Sequence, residues 1–442
     1  MTGGAADASG AGRDGNRYER ECGSMTGRET SRAPQVVTLT LSPARDLTID
    51  VDAIDLGTSH RVAQAGGRLG GKGINVAQVL SALDWSVYVQ GPVNTTDWPE
   101  AVGPTDDLVW DLTPTPARLR RSYALVESSG RATLFNERAS EHPVEVWEQI
   151  EEKLRSRLVE PQVRALAISG STPVDLPEGF VDRIVAAAHA SGVSVVVDTS
   201  GPALITAAKA GADWLKPNTE ELAELAELAA ADATPTGSDQ TRVDAQAADG
   251  FVDDSSQSMT PAFQVRSASA LIAAGAGAVL ASRGEAGLTL IDRSGPRSAA
   301  KLDQPVQGNP TGAGDAVVAA LLSRLAEGTG SQSREATCTD DSAASRAADA
   351  SLDDSAVSLN SADASLTDAE VESILTDAVA ISASAVLMPQ AGAIHGSWRA
   401  LRDRVQIMAP AEPPSSAPEE RQAPTTHPAP ADHPSPADNP GE

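Results

Sequence analysis

Short apolar runs recur along the chain, and most are followed by a segment in which apolar residues are spaced as on a helix. The runs fall at 36–41, 87–91, 165–170, 193–200, 214–218, 278–284 and 288–292. Helices are predicted at 74–83, 144–157, 176–191, 203–210, 219–229, 267–275 and 313–327. Alternation of strand and helix predicts an α/β fold with a doubly wound, mainly parallel sheet, helices on both faces, and ligands at the carboxyl ends of the strands.

Two segments depart from this rhythm because polar and apolar residues alternate in them, as on half-exposed strands. They lie at about 46–65 and 122–137, and the second contains a turn at 128–130. We expect them to form a small antiparallel β-sheet beside the main one, placed to act as a lid. Such a sheet often buries its second face against a neighbour, so a homodimer through the lid is also expected.

Four stretches have too few apolar residues to form a core. They lie at 1–34, 230–264, 328–366 and 409–442, and are rich in acidic residues, Ala, Ser, Gly or Pro. Low hydropathy with excess charge cannot offset the entropy of ordering, so we expect two disordered tails and two disordered surface inserts. The remaining chain, over 35–408, is predicted to be one domain.

The charge balance restricts the partners. The chain has 61 acidic and 34 basic residues among 442, a formal net charge of −27. A field of this sign repels a phosphate polymer, so no nucleic acid is expected as a partner. No apolar run is long enough to span a membrane, and the two cysteines lie in polar surroundings, so we expect a cytoplasmic protein without membrane contact or disulfides.

The run at 308–315 reads GNPTGAGD and leads directly into an apolar helical segment. Small residues before a helix let several backbone N–H groups face one anion, and the helix dipole adds partial positive charge. Asp315 ends this run, where it is poorly placed to bind phosphate but well placed to accept a proton from an attacking hydroxyl. A glycine-rich turn in which Asp315 only begins the helix is the alternative.

A second glycine-rich run, GGRLGGKG at 66–73, also precedes a helix. It nearly matches the P-loop pattern, but Gly73 stands where a P-loop needs Ser or Thr to hold magnesium, so a P-loop ATPase is not expected. A turn that offers Lys72, Asn75 and backbone donors to a ligand remains open beside a tight turn with a solvated lysine.

Two further motifs follow strand ends. In KPNTEE at 216–221, Asn218 and Glu221 could both face magnesium from the first helical turn, although helix capping alone explains them as well. In SRGEAG at 282–287, two glycines permit close approach of a ligand, but an ordinary β-turn predicts the same residues.

In this order, the four motifs resemble those of the ribokinase-like carbohydrate kinases, and more closely the phosphofructokinase B type. Three more stretches are similar to that type: TLSPARD at 40–46, GSTP at 170–173 and DTSGPAL at 198–204. The resemblance covers about 36–228 and 265–395. It implies a ribokinase-like fold and an ATP-dependent kinase that phosphorylates an alcohol group.

The resemblance also implies roles for matched residues. The catalytic set is Asp315 as general base with an anion hole formed by Gly312, Ala313 and Gly314. The substrate set is Asp46, Gly70, Gly71, Lys72, Asn75 and Arg121, the last of which binds the substrate phosphate. The ATP-binding set is Lys216, Ser282, Gly284, Gly287 and Gly314. Mg²⁺ would be associated with Asn218 and Glu221, through water.

The acceptor is the least determined part of this hypothesis. Two cations, Lys72 and Arg121, suit a dianion, which favours a sugar phosphate over a free sugar. Fructose 1-phosphate, giving fructose 1,6-bisphosphate and ADP, is the first candidate. Tagatose 6-phosphate, fructose 6-phosphate and a free hexose remain open, as does a non-catalytic sugar-phosphate sensor.

Overall fold

The computed structural model describes residues 35–62, 66–97, 107–232, 260–335 and 366–410. Nearly all of the two predicted disordered tails, and most of both predicted inserts, lie outside these residues. The insert boundaries are partly corrected, because helices occupy 219–232, 261–274 and 313–335. Within the described ranges, no helix is both long and apolar enough to cross a bilayer.

A ten-stranded sheet forms the centre of the molecule. In chain order its strands are β1 (Val36–Thr40), β4 (Val87–Gln90), β6 (Leu108–Trp110), β10 (Ala165–Ser169), β11 (Ser194–Asp198), β12 (Trp214–Leu215), β13 (Ala278–Ser282), β14 (Leu288–Asp292), β15 (Gly295–Leu302) and β16 (Val405–Met408). The spatial order is β16-β15-β14-β13-β12-β11-β10-β1-β4-β6. Strands from β13 to β6 are parallel and the β13–β16 edge is antiparallel, which confirms the predicted α/β class.

Helices cover both faces of this sheet. They are α1 (Lys72–Ala82), α2 (Val144–Leu158), α3 (Phe180–Ala190), α4 (Pro202–Lys209), α5 (Thr219–Asp232), α6 (Pro261–Ala274), α7 (Ala313–Glu335), α8 (Asp368–Val386) and α9 (Trp398–Arg402). Alternate strand residues point to opposite faces, so two apolar clusters form: one with α1, α7 and α8, the other with α2 to α6. Buried Asp377 of α8 pairs with Arg324 of α7 and with Arg402 of α9, and so joins three helices.

The lid is a separate four-stranded sheet of β2 (Ala44–Val51), β3 (Gly66–Gly70), β8 (Arg120–Glu127) and β9 (Ala132–Asn136), in the order β3-β2-β8-β9. Its centre is a parallel pairing of β2 with β8, flanked by two antiparallel pairings, so the expected all-antiparallel lid is only partly right. The predicted turn is present, with Gly130 N–H donating to Glu127 O at 2.8 Å. A short pair of β5 (Pro92–Val93) and β7 (Thr113–Pro114) completes the strands.

Candidate active site

A cleft of about 940 Å³ lies between the lid and the carboxyl ends of β10, β11 and β12. Its wall on the lid side includes Asp46, Arg120, Ser122 and Asn136. Its floor includes residues from four loops or helix starts of the main sheet: Lys72, Asn75, Asp198, Lys216, Asn218, Glu221, Gly312, Gly314 and Asp315. The structure therefore brings the first three sequence motifs to one cavity, as the parallel topology requires.

Asp315 stands in the first turn of α7, and Gly312 explains how the loop before it can pack so closely. Gly312 has φ +87°, and a Cβ added there would lie 2.6 Å from the Cβ of Ala391. The loop therefore needs glycine for its backbone conformation and for space. The N–H of Ala313 donates to the carbonyl of Pro310 at 3.1 Å. The N–H groups of Gly312, Gly314 and Asp315 have no hydrogen-bond acceptor among the described residues, so they are available to an anion.

Asp315 is 7% exposed, and its Oδ2 accepts a hydrogen bond from Asn75 Nδ2 at 2.8 Å. Burial, and then the nearby Asp198 carboxylate, raise the pKa of Asp315 to about 7, although Lys72, Asn75 and Lys216 act in the opposite direction. A carboxyl with such a pKa is partly ionised at neutral pH and can take up a proton there.

Lys72 and Lys216 share one buried carboxylate beside Asp315. Asp198 Oδ1 lies 3.2 Å from Lys72 Nζ and 3.4 Å from Lys216 Nζ, and Lys72 Nζ also lies 3.3 Å from Glu221 Oε1. Burial by itself lowers the pKa of Lys72, but Asp198 and Glu221 raise it above its ordinary value, so this lysine stays charged. Two lysines and two carboxylates make the cluster neutral overall, and they hold two ammonium groups in fixed positions next to the candidate base.

Asn218 and Glu221 cap the N-terminus of α5, because the side chain of each accepts a hydrogen bond from the backbone of the other. This is the capping alternative that the sequence left open. Glu221 N–H donates to Asn218 Oδ1 at 2.7 Å, and Asn218 N–H donates to Glu221 Oε2 at 2.9 Å. Capping does not exclude the metal, because both side chains still line the cleft. Asp198 Oδ2 is buried beside them without a hydrogen-bond partner among the described residues. Oxygen acceptors of this kind fit Mg²⁺ that retains several waters.

On the lid side, Asp46 projects over the turn that begins α1. A Cβ at Gly70 would lie 2.0 Å from Asp46 Oδ2, so only glycine leaves room for this carboxylate. Asp46 also lies 3.5 Å from Arg68, measured from Oδ2 to Nη2. Burial raises the pKa of Asp46, against the opposing effect of Arg68 and Arg120. Gly71, with φ +108°, precedes α1 and lines the same cavity.

The structure does not bring Arg121 to the cleft; its side chain is exposed on the other face of the lid. Because successive residues of a strand point to opposite faces, its neighbours Arg120 and Ser122 line the cavity instead. Arg120 donates from Nε and Nη2 to the carbonyl oxygen of Ser42, at 3.2 and 2.9 Å. The arginine that β8 contributes to the cleft is therefore Arg120, one position from the expected residue.

The predicted ATP-binding residues divide into two groups. Lys216 and Gly314 lie in the cleft, and a Cβ at Gly314 would stand 3.5 Å from Lys216 Nζ. Ser282, Gly284 and Gly287 do not line it. They lie at the end of β13 and in the 3-10 turn that follows, and Ser282 joins the site through its bridge to Asn218.

Sequence reasoning missed three charged residues of the site. The sequence pattern places Arg68 in a glycine-rich turn, whereas 66–70 is strand β3. The sequence pointed to Arg121, which is the neighbour of Arg120 on the opposite face of the strand. Asp198 begins the DTSGPAL stretch, for which the sequence indicates no role. A signal was present for the two arginines, since period-two alternation through 120–124 and 66–70 shows which residues share a face.

Comparisons with known proteins show the family of the chain. The model of the pfkB family carbohydrate kinases matches residues 116–348. The 1-phosphofructokinase of Xanthomonas campestris pv. campestris is 31% identical over 304 residues, which are 66% of this chain and 84% of that protein.

Solved structures share the fold. A possible 1-phosphofructokinase from Thermotoga maritima has TM-score 0.58 at 17% identity, covering 85% of this chain and 99% of its own. Phosphofructokinase-2 from Escherichia coli in complex with fructose-6-phosphate has TM-score 0.55 at 20% identity, covering 84% and 98%. The predicted ribokinase-like fold and the predicted transfer of phosphate to a hydroxyl are thereby confirmed. By its sequence, and in agreement with its fold, the chain belongs to the pfkB family of carbohydrate kinases.

Proposed function

We propose that the protein transfers the γ-phosphoryl group of ATP to a hydroxyl of a sugar phosphate, with fructose 1-phosphate as the first candidate. The observation that carries this proposal is the position of Asp315. A buried carboxylate with its pKa raised to about 7 stands at the N-terminus of α7, beside backbone donors and two lysines. A base with a near-neutral pKa and an adjacent anion-binding turn are the two parts that phosphoryl transfer to an alcohol needs.

The acceptor binds under the lid. Asp46 accepts hydrogen bonds from sugar hydroxyls, because its carboxylate faces the cleft and Gly70 gives it room. Arg120 binds the phosphate of the acceptor with the part of its guanidinium that Ser42 leaves free, a role that the sequence had assigned to Arg121. Asn75 lies between the acceptor and Asp315.

ATP binds on the other side of Asp315. The γ-phosphate lies against the N–H groups of the α7 turn and the ammonium of Lys216, where the developing charge is stabilised. The loop of Ser282, Gly284 and Gly287 receives the remainder of the nucleotide. Asn218 and Glu221 associate with Mg²⁺ through water, and the ion, when bound, neutralises charge on the phosphate oxygens.

The proton transfer follows from this arrangement. Asp315 takes the proton of the attacking hydroxyl as the oxygen approaches the γ-phosphorus, so the alkoxide never has to form free in water. Closure of the lid excludes water, which would otherwise compete as the acceptor. Lys72, held between Asp198 and Glu221, supplies a fixed positive charge beside the reacting groups.

A homodimer through the lid remains part of the proposal. The side chain of Phe135 is 57% exposed in β9, and Tyr123 lies opposite it in β8. These aromatic residues stand on strand positions that alternate with those lining the cleft. Sedimentation of the wild-type chain and of Phe135→Lys would test this, since only the wild type should sediment as a dimer.

The test of the activity is ADP release, coupled to a dehydrogenase assay, over a panel of fructose 1-phosphate, fructose 6-phosphate, tagatose 6-phosphate, fructose and tagatose. We expect the largest kcat/KM with fructose 1-phosphate. Turnover of the free sugars alone would contradict the phosphate-binding role of Arg120. No acceptor-dependent ADP release with any sugar would favour the non-catalytic sensor.

A further inference from the structure

A continuous chain of polar side chains crosses the cleft from the lid to Asp315. Arg68 lies 3.5 Å from Asp46 and donates from Nη2 to Asn75 Oδ1 at 2.6 Å. Asn75 Nδ2 in turn donates to Asp315 Oδ2 at 2.8 Å. The second terminal nitrogen of Arg68 donates to Gln78 Oε1. The family resemblance assigned Asn75 to the substrate and gave no role to Arg68.

The chemistry of an amide makes the position of Arg68 informative. Rotation of the Asn75 amide by 180° would exchange its oxygen, which only accepts, with its nitrogen, which only donates. A guanidinium has donors and no acceptor, so Arg68 tolerates only the orientation with Oδ1 toward it. Asp315 cannot select the orientation by itself, because a carboxyl accepts when ionised and donates when protonated.

We propose that Arg68 is a positioning residue, which fixes the Asn75 amide with its NH₂ group toward Asp315 and so holds the carboxylate in the orientation that receives the proton of the acceptor. The inference rests on the proposed function, since it needs Asp315 to be the base. Arg68 acts through Asn75 and is not a catalytic residue itself.

The surroundings of Arg68 are those of an immobilised group. Its side chain is only 18% exposed, and its acceptors come from β2 and from two turns of α1. The backbone after α8 closes over it: a Cβ at Gly392 would lie 2.3 Å from Gln78 Oε1 and 3.3 Å from Arg68 Nη1. A guanidinium held in this way keeps its direction, which is what a residue that orients another side chain requires.

The experiment is a double-mutant cycle on kcat with Arg68→Met and Asn75→Ala, using the best acceptor of the wild-type enzyme. Met keeps most of the volume of the side chain and removes every donor. We expect Arg68→Met to lower kcat about tenfold, with the KM for ATP unchanged, because a mispositioned base slows the phosphoryl-transfer step and does not affect nucleotide binding. In the Asn75→Ala background the same change should lower kcat less than twofold, since the side chain that it orients is gone.

Two further variants complete the design. Arg45→Met removes an exposed arginine from the neighbouring lid strand, opposite Leu69, and should leave kcat and both KM values unchanged. Arg68→Lys keeps the positive charge and one terminal nitrogen as a hydrogen-bond donor, but loses the second terminal nitrogen. Its kcat should therefore fall between those of wild type and Arg68→Met. If the Met variant does not fold, the cycle is run with Lys, for which a smaller but still non-additive loss is expected.

Three results would overturn the inference. Additive losses in the cycle would show that Arg68 acts independently of Asn75. A loss confined to the KM of phosphorylated acceptors, with no change for the free sugar, would make Arg68 a phosphate ligand. An unchanged kcat in Arg68→Met would show that Arg68 has no positioning role. An inactive wild-type enzyme would instead refute the proposed function, so the two failures are distinguishable.

Discussion

Replacement of Asp315 by Asn tests the candidate base in two independent ways, through turnover and through stability. Asn keeps the size of the side chain and can still hydrogen-bond to Asn75, but it cannot take up a proton near neutral pH. Turnover should fall by about 10²–10⁴-fold, the range for loss of a general base. The KM for ATP should change little, because Asn keeps the backbone N–H of position 315 and the other proposed nucleotide contacts lie on other residues.

The effect on stability follows from the raised pKa. Because the folded-state pKa of about 7 lies above the ordinary value of 3.8, the native state retains a proton that the unfolded chain loses between these pH values. This group therefore contributes stability at low pH that is lost as the pH rises through about 7. Roughly three pH units at 1.36 kcal/mol each give about 4 kcal/mol, of which about 3 kcal/mol falls between pH 5 and 8.

The assay is urea denaturation of wild type and Asp315→Asn at pH 5 and pH 8, with the free energy of unfolding extrapolated to water. Going from pH 5 to pH 8, the stability of the variant relative to wild type should increase by about 3 kcal/mol. In parallel, kcat/KM of the wild type should fall as the pH is lowered through about 7, because protonated Asp315 cannot act as a base.

Either of two results would refute the reasoning. A variant with near-normal turnover would remove Asp315 from the role of base. A relative stability that does not change between pH 5 and 8 would mean that the carboxylate is not held in a raised-pKa environment, whatever its role in turnover. If turnover is lost but the stability difference between variant and wild type is the same at pH 5 and pH 8, Asp315 remains the candidate base and its raised pKa is refuted.

Three other substitutions test separate parts of the structure. Asp198→Asn should move the acid limb of kcat/KM to lower pH, because removal of this carboxylate lowers the pKa of Asp315; a pH–rate profile measures it. Gly70→Ala should raise the KM of the acceptor at least tenfold with the KM for ATP unchanged, since the new methyl group displaces the Asp46 carboxylate; steady-state kinetics measure it. Asp377→Ala should destabilise the fold by about 2–3 kcal/mol, because it leaves the two half-buried arginines of its helix-joining cluster without a partner; urea denaturation measures it.

Matched controls separate these effects from general damage. Gly396→Ala places a methyl group where no atom lies within 4 Å, so acceptor KM should not change. Glu327→Ala removes a half-exposed partner of Arg324 and should cost less than about 0.5 kcal/mol. An acid limb that stays in place in Asp198→Asn, an unchanged acceptor KM in Gly70→Ala, or an Asp377→Ala as stable as wild type would contradict the corresponding prediction.

The long elements of the fold were predictable because their signals are local. Apolar periodicity identified α2 to within one residue and β14 without error, and the glycine-rich run before α7 identified the candidate anion-binding turn. Strand β15 was missed because its sequence, GPRSAAKL, has no apolar alternation, and it pairs with β14 across a register shift. The extension of α7 to Glu335 was missed because 328–335 has the polar composition of the acidic insert that follows.

The sequence by itself determined the class of chemistry: a carboxylate at the end of a glycine-rich helix start, a lysine turn and a family pattern that unites them. Only the tertiary structure decided which arginine enters the cleft, since Arg120 and Arg121 differ in nothing but the face of a strand that each occupies. It also decided the pKa of Asp315, because the two causes that raise it exist only after folding: burial first, and then the Asp198 carboxylate, which is 117 residues away in the chain. Local sequence patterns specify secondary-structure elements. Strand register, and the proximity of charged residues that are far apart in the chain, are properties of the packed molecule.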